Sequence, residues 1–395
     1  MTRQRSFRHL SSPVRLYFGE DSLRRLPGEL ERLDCKRAVV FCGQTVANKT
    51  NALQLVREAL GERYAGVFDG VEAHSPLPSV LAGVDVLRSA EADAVVAIGG
   101  GSAIVSARAS TILLAENKDA HELCTQYPPG KAPVSPRLNK PKLPQFVVPT
   151  TPTTAYAKAG TAIVDPALGR RLAMFDPKTR PVAIFIHPEV SLTAPTSLAL
   201  SSALNSFSLA IQGLESKSHQ PLADALLLHG LRLTCQFTPK MLAYPNDDDA
   251  RGQLMLGALL VGQGTDFSPG ALASAVAHSI GARFHADNGT TGMIILPHAM
   301  RFNAPAVEGR HTLVAEALGS EVTTSDDPGG TETAIAAVMD FVKRAGIPGR
   351  LRDIGVSEDA LPQLAEDSAG DWFLHQNPRP ITESSQLLEI LRAAW

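Results

Sequence analysis

The sequence predicts an α/β domain with a parallel sheet, followed by an all-helical domain, and three observations support this fold class. A chain of 395 residues is longer than one hydrophobic core usually serves, so two domains are expected. The first half alternates short apolar runs with segments of helical period, a pattern typical of strands joined by crossover helices. After about Pro188 the chain carries long helical patterns and almost no strand pattern. The predicted boundaries are 1–190 for the α/β domain and 191–395 for the helical domain.

Short apolar runs are the candidate strands of the first domain. The β-branched run at 38–42 is closed by Gly43, and the run at 95–98 is closed by three glycines; the others lie at 14–18 and 146–148. Helical periods fall between these runs and through the second half, at 53–60, 80–90, 197–213, 221–243, 248–262 and 269–284. Two stretches are predicted loops: the proline-rich segment 126–143, a solvated connection or a flap over the active site, and the segment 323–330.

Composition and charge exclude several classes of function. The net charge of -3 provides no basic footprint for nucleic acid or an anionic membrane. No run of about 18 apolar residues is present to span a bilayer, and the basic N-terminus lacks the apolar core of a secretory signal. The four cysteines form no CxxC pair, which is typical of reduced thiols. We therefore expect a cytoplasmic protein without a nucleic-acid or membrane partner.

Two turns that follow predicted strands carry groups suited to phosphate. Gly99, Gly100, Gly101 and Ser102 lie between a strand and a helix, where glycine lets the backbone approach a phosphate and the helix N-terminus offers unpaired N–H groups. The turn PTTPTTA at 149–155 offers hydroxyls to a pyrophosphate or a ribose. From the residues alone, a tight turn and a proline-rich turn with threonine caps remain the alternatives.

A single histidine-rich segment is the candidate catalytic region. Residues 274–305 contain His278, His285 and His298, and on a helix His278 shares a face with Ser274. A lone helical histidine is more often structural than catalytic, so both interpretations stay open for each of the three.

The chain resembles the iron-dependent alcohol dehydrogenase superfamily, and within it the branch that contains the maleylacetate reductases. Matching text runs in order along nearly the whole chain: VRLYFG, AIGGGS, VPTTPTTA, TSLALSSALNS, AHSIGARF, ILPHAMRFNAP, NPRPIT and LRAAW. The resemblance implies a dehydroquinate synthase-like fold, with a Rossmann-like N-terminal domain, a helical C-terminal domain and a cleft between them for NAD or NADP and substrate. It also implies a homodimer, because the family is commonly dimeric or larger.

The resemblance assigns roles position by position. It places Gly99 to Ser102 on the pyrophosphate loop, and it places Thr150, Thr151 and Thr154 on the second phosphate and nicotinamide-side turn. His278 falls on the second histidine of the family's HxxxH, which serves in proton transfer. The chain departs from the family pattern at Val105, Arg108, Ala157 and His187, where the family has Asp, Lys, an acidic residue and Asp.

The family's four metal-ligand positions, one Asp and three His, are Asn205, Leu209, Ser274 and Asn288 in this chain. Maleylacetate reductases also carry Asn at the first of these, but usually keep His at the second and third. Leucine ligates nothing, and neutral amide and hydroxyl groups are poor ligands for Fe²⁺ or Zn²⁺. We therefore predict no bound metal, with Asn205, Ser274 and Asn288 as candidate hydrogen-bond donors to a developing oxyanion.

These assignments favour a metal-independent NAD(P) oxidoreductase acting on an unsaturated keto acid such as maleylacetate, with His278 as general acid or base. Such a substrate is a carboxylate; its candidate cationic partners, each equally a surface or cofactor residue, are Arg108, Lys158, Arg283 and Arg301. Three alternatives stay open: a dihydrodiol-carboxylate dehydrogenase of aromatic-compound catabolism, reuse of the cleft for non-redox chemistry, and a pseudoenzyme or small-molecule binding protein. No acidic residue follows the strand at 38–42, so NAD and NADP both remain candidates.

Overall fold

The computed structural model describes residues 6–128, 133–322 and 327–395, and these form two compact units. One unit is Ser11–Pro195, and the other joins the described residues up to Leu10 to Thr196–Trp395. The predicted loops at 126–143 and 323–330 are described only in part, because 129–132 and 323–326 lie outside the described residues. No helix in the described ranges is long and apolar enough to cross a membrane.

The unit Ser11–Pro195 is built on a parallel sheet. Its strands are β1 (Arg15–Phe18), β2 (Ala38–Phe41), β3 (Tyr64–Phe68), β4 (Ala94–Gly99), β5 (Gln145–Pro149), β6 (Gly160–Asp165), β7 (Arg170–Phe175) and β8 (Ala183–Ile186). Six of them form one sheet in the order β1-β8-β5-β4-β2-β3, and every neighbouring pair is parallel. Strands β6 and β7 form a separate antiparallel hairpin. The helices are α1 (Leu26–Arg32), α2 (Gln44–Lys49), α3 (Ala52–Leu60), α4 (Leu77–Ser89), α5 (Gly101–Glu116), α6 (Ala120–Leu123) and α7 (Pro188–Ser191).

The second unit contains helices and no strand within its described residues. Its helices are α8 (Thr196–Glu215), α9 (Pro221–Ala243), α10 (Asp248–Gly264), α11 (Leu272–Phe284), α12 (Asn288–Asn303), α13 (His311–Ala317), α14 (Thr331–Arg344), α15 (Leu361–Ala369) and α16 (Ser384–Ala394). Buried side chains of α8, α11 and α12, among them Phe207, Val276 and Ile295, belong to one continuous apolar core. These three helices therefore hold one another at fixed positions.

The strand order identifies the edge of the sheet where a ligand is expected. Strand β2 pairs with β3 on one side and with β4 on the other, so the direction of winding reverses between β2 and β4. In open parallel sheets, ligands bind beyond the carboxyl ends of the strands at such a reversal. Gly43 begins the turn after β2, and Gly99 ends β4.

The predicted fold class, a parallel α/β domain followed by a helical domain, is confirmed, although the sequence reasoning missed four strands. Strand β3 contains Gly66, which breaks the apolar run that identifies a strand. Strand β8 is as short and as buried as β2, but no glycine closes it. Strands β6 and β7 carry an alternating burial pattern that the neighbouring prolines and arginines obscure.

Candidate active site

The glycine turn between β4 and α5 leaves a space that side chains would fill. A Cβ atom on Gly100 would lie 3.0 Å from Thr151 Oγ1, and one on Gly101 would lie 3.3 Å from Thr153 Oγ1. Gly99 has a φ of 143°, a conformation that side chains disfavour. The turn leads directly into α5, whose first N–H groups have no intrahelical partner and whose dipole attracts an anion.

The threonine turn meets the glycine turn at the same edge of the sheet. Gly99 is in register with Pro149, and the N–H of Thr150 donates to the carbonyl of Gly99 over 3.1 Å. Thr150, Thr151 and Thr154 are all buried, and Thr154 starts the 3-10 turn Thr154–Ala157. The Thr151 hydroxyl is buried and has no hydrogen-bond partner among the described residues, although a buried hydroxyl normally has one. These features fit a dinucleotide phosphate bound at this edge of the sheet.

Ser102 links the glycine turn to the loop that contains His74 and Ser75. Its hydroxyl accepts a hydrogen bond from the N–H of His74 at 3.1 Å, and its carbonyl accepts one from the Ser75 hydroxyl at 3.0 Å. His74 and Ser75 both have positive φ angles, so these bonds stabilise a strained loop against α5. The Ser102 hydroxyl retains its own proton to donate.

Three of the four candidate substrate-binding cations are used elsewhere. Arg108 is completely buried, and its guanidinium donates to the carbonyls of Gly160 at 2.7 Å, Ala155 at 2.8 Å and Thr179 at 3.3 Å. It therefore fixes the threonine turn to the rest of the unit and is wrong as a partner for a substrate carboxylate. The other two bind carboxylates of the same unit at the protein surface: Arg283 with Asp367 and Arg301 with Glu332.

The start of α12 packs directly on α8. A Cβ atom on Gly289 would lie 2.0 Å from the carbonyl oxygen of Ser201, and the Ser201 hydroxyl donates to Asp287 over 2.6 Å. Asn205 lies one turn beyond Ser201 on the same face of α8. The Asn288 side chain also reaches α11, since its Oδ1 is 2.8 Å from where a Cβ of Gly281 would lie.

Leu209 and Ser274 meet where α8 faces the start of α11. A Cβ on Gly270 would lie 2.6 Å from Leu209 Cδ2 and 3.4 Å from Ser274 Oγ. Gln212, which follows Leu209 by almost one turn, donates to the Ser274 hydroxyl over 3.1 Å. The structure therefore brings the four positions that the resemblance marked as metal ligands onto α8, α11 and α12, which pack in one core.

The side chains at these four positions do not fit a metal ion. Amide and hydroxyl groups remain neutral, and the Leu209 side chain has no lone pair to offer. Across residues 6–128, 133–322 and 327–395, no group of three or more His, Cys, Asp and Glu side chains is arranged to hold a metal ion. Asn205 and Asn288 are half-buried, and their amides make no hydrogen bond within this part of the chain, so both can donate to a ligand.

His278 is held by a carboxylate that sequence reasoning missed. Its Nδ1 lies 2.9 Å from Asp371 Oδ2, and its ring meets the Phe373 ring edge-on at 5.0 Å. Asp371 also accepts the N–H of Phe373 at 2.8 Å, which fixes the carboxylate at the start of the 3-10 turn Trp372–Gln376. A carboxylate at Nδ1 keeps a proton on that atom and holds the ring in one orientation.

The other two histidines of the segment have structural surroundings. His285 ends α11 with a left-handed φ of 53° and is exposed. Burial, together with the positive charges of Arg301 and Arg350, lowers the pKa of His298 from its usual value. Neither contacts Ser274 or His278 through a side-chain hydrogen bond among those found in the described residues.

Comparison with known proteins covers the chain almost from end to end. The sequence profile of the family described as "Iron-containing alcohol dehydrogenase" matches residues 13–188, and that of "Fe-containing alcohol dehydrogenase family, C-terminal" matches residues 199–395. Lactaldehyde reductase of Escherichia coli (strain K12) is 28% identical over 96% of this chain and 97% of its own length. Maleylacetate reductase of Pseudomonas aeruginosa is 28% identical over 99% of this chain and 98% of its own length.

Solved structures share the fold. A 1,3-propanediol oxidoreductase aligns with a TM-score of 0.90 at 24% identity, covering 99% of this chain and 100% of its own. Sulfoacetaldehyde reductase from Bifidobacterium kashiwanohense, determined in complex with NAD+, aligns with a TM-score of 0.83 at 21% identity, covering 98% of this chain and 99% of its own. At these identities the likeness establishes the architecture alone.

Proposed function

The chain belongs to the iron-containing alcohol dehydrogenase family, whose members here are oxidoreductases, and from this premise we propose that it is an NAD(P)-dependent enzyme that works without a metal. The proposed substrate class is an unsaturated keto acid, as in the maleylacetate reductases. Two parts of the structure support this proposal: the glycine turn with the threonine turn beside it, and the neutral donors with their histidine.

The cofactor proposal rests on the turns after β4 and β5. The N-terminus of α5, the space that the glycines leave and the unpartnered Thr151 hydroxyl suit a pyrophosphate. Sulfoacetaldehyde reductase, which has the same fold, holds NAD+. When bound, the nicotinamide exchanges a hydride with a substrate carbon. The turn after β2 reads Gly43, Gln44, Thr45 and places no carboxylate to repel a 2′-phosphate, so we propose that both NADH and NADPH bind.

The observation that carries the proposed chemistry is the His278–Asp371 pair. An imidazole whose Nδ1 is held by a carboxylate presents Nε2 in one orientation, which suits proton transfer near neutral pH. His278 lies one turn after Ser274 on α11, so the acid–base group and a hydroxyl donor share one face of the helix. This arrangement needs no metal to position the proton.

The neutral donors Asn205, Ser274 and Asn288 favour a conjugated substrate over a simple aldehyde. Reduction of an isolated carbonyl concentrates negative charge on one oxygen, which a Lewis acid stabilises well and which neutral donors stabilise less. In an enone acid, hydride adds to the carbon β to the ketone, the C=C π electrons shift to form the enolate, and the proton from His278 Nε2 is then taken by the α carbon. Asn205, Ser274 and Asn288 are proposed to donate to the enolate oxygen.

The proposal is tested on protein stripped with EDTA. We expect NADH or NADPH to bind at micromolar concentration in a fluorescence titration, and maleylacetate to be reduced at a rate that added Fe²⁺ or Zn²⁺ does not raise. Lactaldehyde, an unconjugated aldehyde, serves as the comparison substrate and should be reduced far more slowly. Failure to bind either nucleotide would exclude the redox function, and recovery of activity only with added metal would exclude metal independence.

A further inference from the structure

Gln212 is a buried amide that joins α8 to the first turn of α11. Its side chain is only 2% exposed and is used at both ends. The amide oxygen accepts from the N–H of Ala271 at 2.9 Å and from the N–H of Ser274 at 3.2 Å. The amide nitrogen donates to Ser208 Oγ at 2.9 Å, to the carbonyl of Ser208 at 3.2 Å and to Ser274 Oγ at 3.1 Å.

The orientation of this amide follows from its partners. The two ends of a glutamine amide are ordinarily hard to tell apart, and neighbouring groups must decide which atom is oxygen. Backbone N–H groups can only donate, and two of them point at the same end of Gln212. That end is the oxygen, so the end facing Ser274 is the NH₂ group, which can only donate.

We infer that Gln212 orients the Ser274 hydroxyl so that it donates a hydrogen bond to the substrate oxyanion. A hydroxyl that already accepts from an NH₂ group points its own proton elsewhere. Ser274 is 8% exposed, and its hydroxyl makes no other hydrogen bond in the described part of the chain. Gln212 is thus a positioning residue: it does not reach the substrate, but it fixes the direction in which Ser274 donates. The inference rests on the proposed function, which supplies the oxyanion.

The contacts of Gln212 also hold the Ser274 hydroxyl rigidly in place. A donor contributes most when it already points at the developing charge and does not have to reorient during the reaction. The Gln212 oxygen caps α11 through two N–H groups, so the amide cannot rotate without breaking the helix cap. Gly270 closes the cluster, because a Cβ there would collide with Leu209 and crowd the Ser274 hydroxyl.

Gln212→Glu tests the donor role of this amide toward Ser274 separately from its role in capping α11. A carboxylate keeps the two bonds from the N–H groups of Ala271 and Ser274, and the start of α11 favours its negative charge. Toward Ser274, however, it accepts instead of donating, so the hydroxyl proton turns away from the substrate. We expect kcat for maleylacetate to fall on the order of 100-fold, as when an oxyanion donor is lost. The Kd for NADH should change little, and the melting temperature should fall, because the buried carboxylate faces the Ser208 carbonyl that the NH₂ group bonded.

Gln220→Glu is the matched control. The Gln220 oxygen also caps a helix, accepting from the N–H of Leu222 at 2.8 Å, and its nitrogen also contacts a polar side chain, His9 at 2.9 Å. Its side chain is 2% exposed, like that of Gln212. We expect this variant to keep the kcat of the parent. Equal losses in both variants would show a general effect of burying a carboxylate and would overturn the inference.

Two further measurements separate this inference from the proposed function. In a Ser274→Ala background, Gln212→Glu should change kcat less than about two-fold, because neighbouring residues that act through one interaction are not additive. Acetylpyruvate, a β-diketone acid with a stable enolate, provides a readout that needs no turnover: its enolate absorbance should rise on binding to the parent and much less with Gln212→Glu.

The outcomes are distinguishable. Enolate stabilisation that depends on Gln212 and Ser274, in a protein that does not reduce maleylacetate, supports the inference and removes the proposed function. If the protein reduces maleylacetate and Gln212→Glu leaves that rate unchanged, the proposed function is supported and the inference is overturned. Independent, additive losses from Gln212→Glu and Ser274→Ala overturn the inference, and so does a parent protein that neither turns over maleylacetate nor shifts the acetylpyruvate enolate.

Discussion

At the scale of single residues, the acid–base group is defined by what surrounds it. His278 is mostly buried, and the Asp371 carboxylate at 2.9 Å and the Phe373 ring fix the position of its imidazole. Asp371 therefore acts as the aspartate of a catalytic triad does, by holding the tautomer and orientation of the imidazole. In the proposed mechanism, the three neutral donors Asn205, Ser274 and Asn288 take the place of a metal charge, which suits a negative charge delocalised over an enolate.

His278→Ala should lower kcat for maleylacetate on the order of 100-fold or more, since a positioned acid or base contributes about that much. NADH affinity should be nearly unchanged, because the phosphate-binding groups lie in the other unit. The matched control is His285→Asn on the same helix, since asparagine tolerates the left-handed conformation at that exposed position. Turnover of His278→Ala within a few-fold of the parent would exclude the general acid–base role.

Some residues of the candidate site could be predicted from the sequence, and others could not. The positions of Asn205, Ser274, His278 and Asn288 followed from text that matches a known family. Asp371 and Gln212 did not, because each acts across the tertiary fold: Asp371 is 93 residues from His278, and Gln212 is 62 residues from Ser274. No local spacing reports such a pair, although the place of Gln212 on the same helical face as Asn205 was a usable indication.

At the scale of elements, the nucleotide site is made by two turns that meet because β4 and β5 are parallel neighbours in register. The glycine turn offers backbone and space, and the threonine turn offers hydroxyls. An unpartnered buried hydroxyl destabilises the folded protein, typically by about 1–3 kcal/mol. Thr151 thus carries a structural cost that ligand binding would offset, as residues at binding sites often do.

Thr151→Val should have opposite effects on stability and on binding. Removing the unpartnered hydroxyl without changing the side-chain shape should raise the free energy of unfolding of the unliganded protein by about 1 kcal/mol. The Kd for NADH should rise several-fold, because the pyrophosphate loses a hydrogen bond. Urea denaturation and a fluorescence titration measure the two quantities.

Thr111→Val on α5 is the control for this pair of measurements. Its hydroxyl is equally buried but already donates to the carbonyl of Arg108 at 2.8 Å, so the same substitution should destabilise the protein and leave NADH binding alone. Destabilisation by Thr151→Val, with unchanged NADH affinity, would mean that this hydroxyl serves the fold and not the cofactor.

The prediction of elements from sequence did not depend on strand length, since β2 and β8 both have four buried residues and only β2 was predicted. Strands β2 and β4 are buried along their whole length, and glycine closes each of them, so their sequence pattern is unambiguous. One face of the β6–β7 hairpin packs against the rest of its unit. The carbonyl of Gly160 in this hairpin accepts a hydrogen bond from Arg108, which anchors the threonine turn. The sequence does not predict this role of the hairpin, because the role depends on where the Arg108 side chain lies in the fold.

At the scale of the whole molecule, the family's frame extends over both units, but the four positions that the resemblance marks as metal ligands carry Asn, Leu, Ser and Asn. Family profiles match 13–188 and 199–395, and the four positions of the lost ligands still lie on three helices that share one core. If only the ligand side chains have changed, the helices should still present those positions in a geometry that a metal can use.

Restoring the ligands tests this retained frame. We expect the variant carrying Asn205→Asp, Leu209→His, Ser274→His and Asn288→His to bind one zinc ion per chain, whereas the parent binds none. Zinc at 100 times its Kd should stabilise the variant by about 2.7 kcal/mol, which appears as a rise in melting temperature with zinc concentration. Metal analysis after gel filtration gives the stoichiometry.

The matched control restores the other three ligands and keeps Leu209, whose side chain occupies the space next to Gly270 and Ser274. It should bind zinc more weakly, because one of the four ligands that a closed site uses is missing. A fourfold variant that keeps the circular dichroism spectrum of the parent but binds no zinc would show that α8, α11 and α12 have themselves moved from the metal-binding arrangement. The loss of metal would then be a property of the backbone, and the neutral donors would have to be judged in a site shaped around a different ligand.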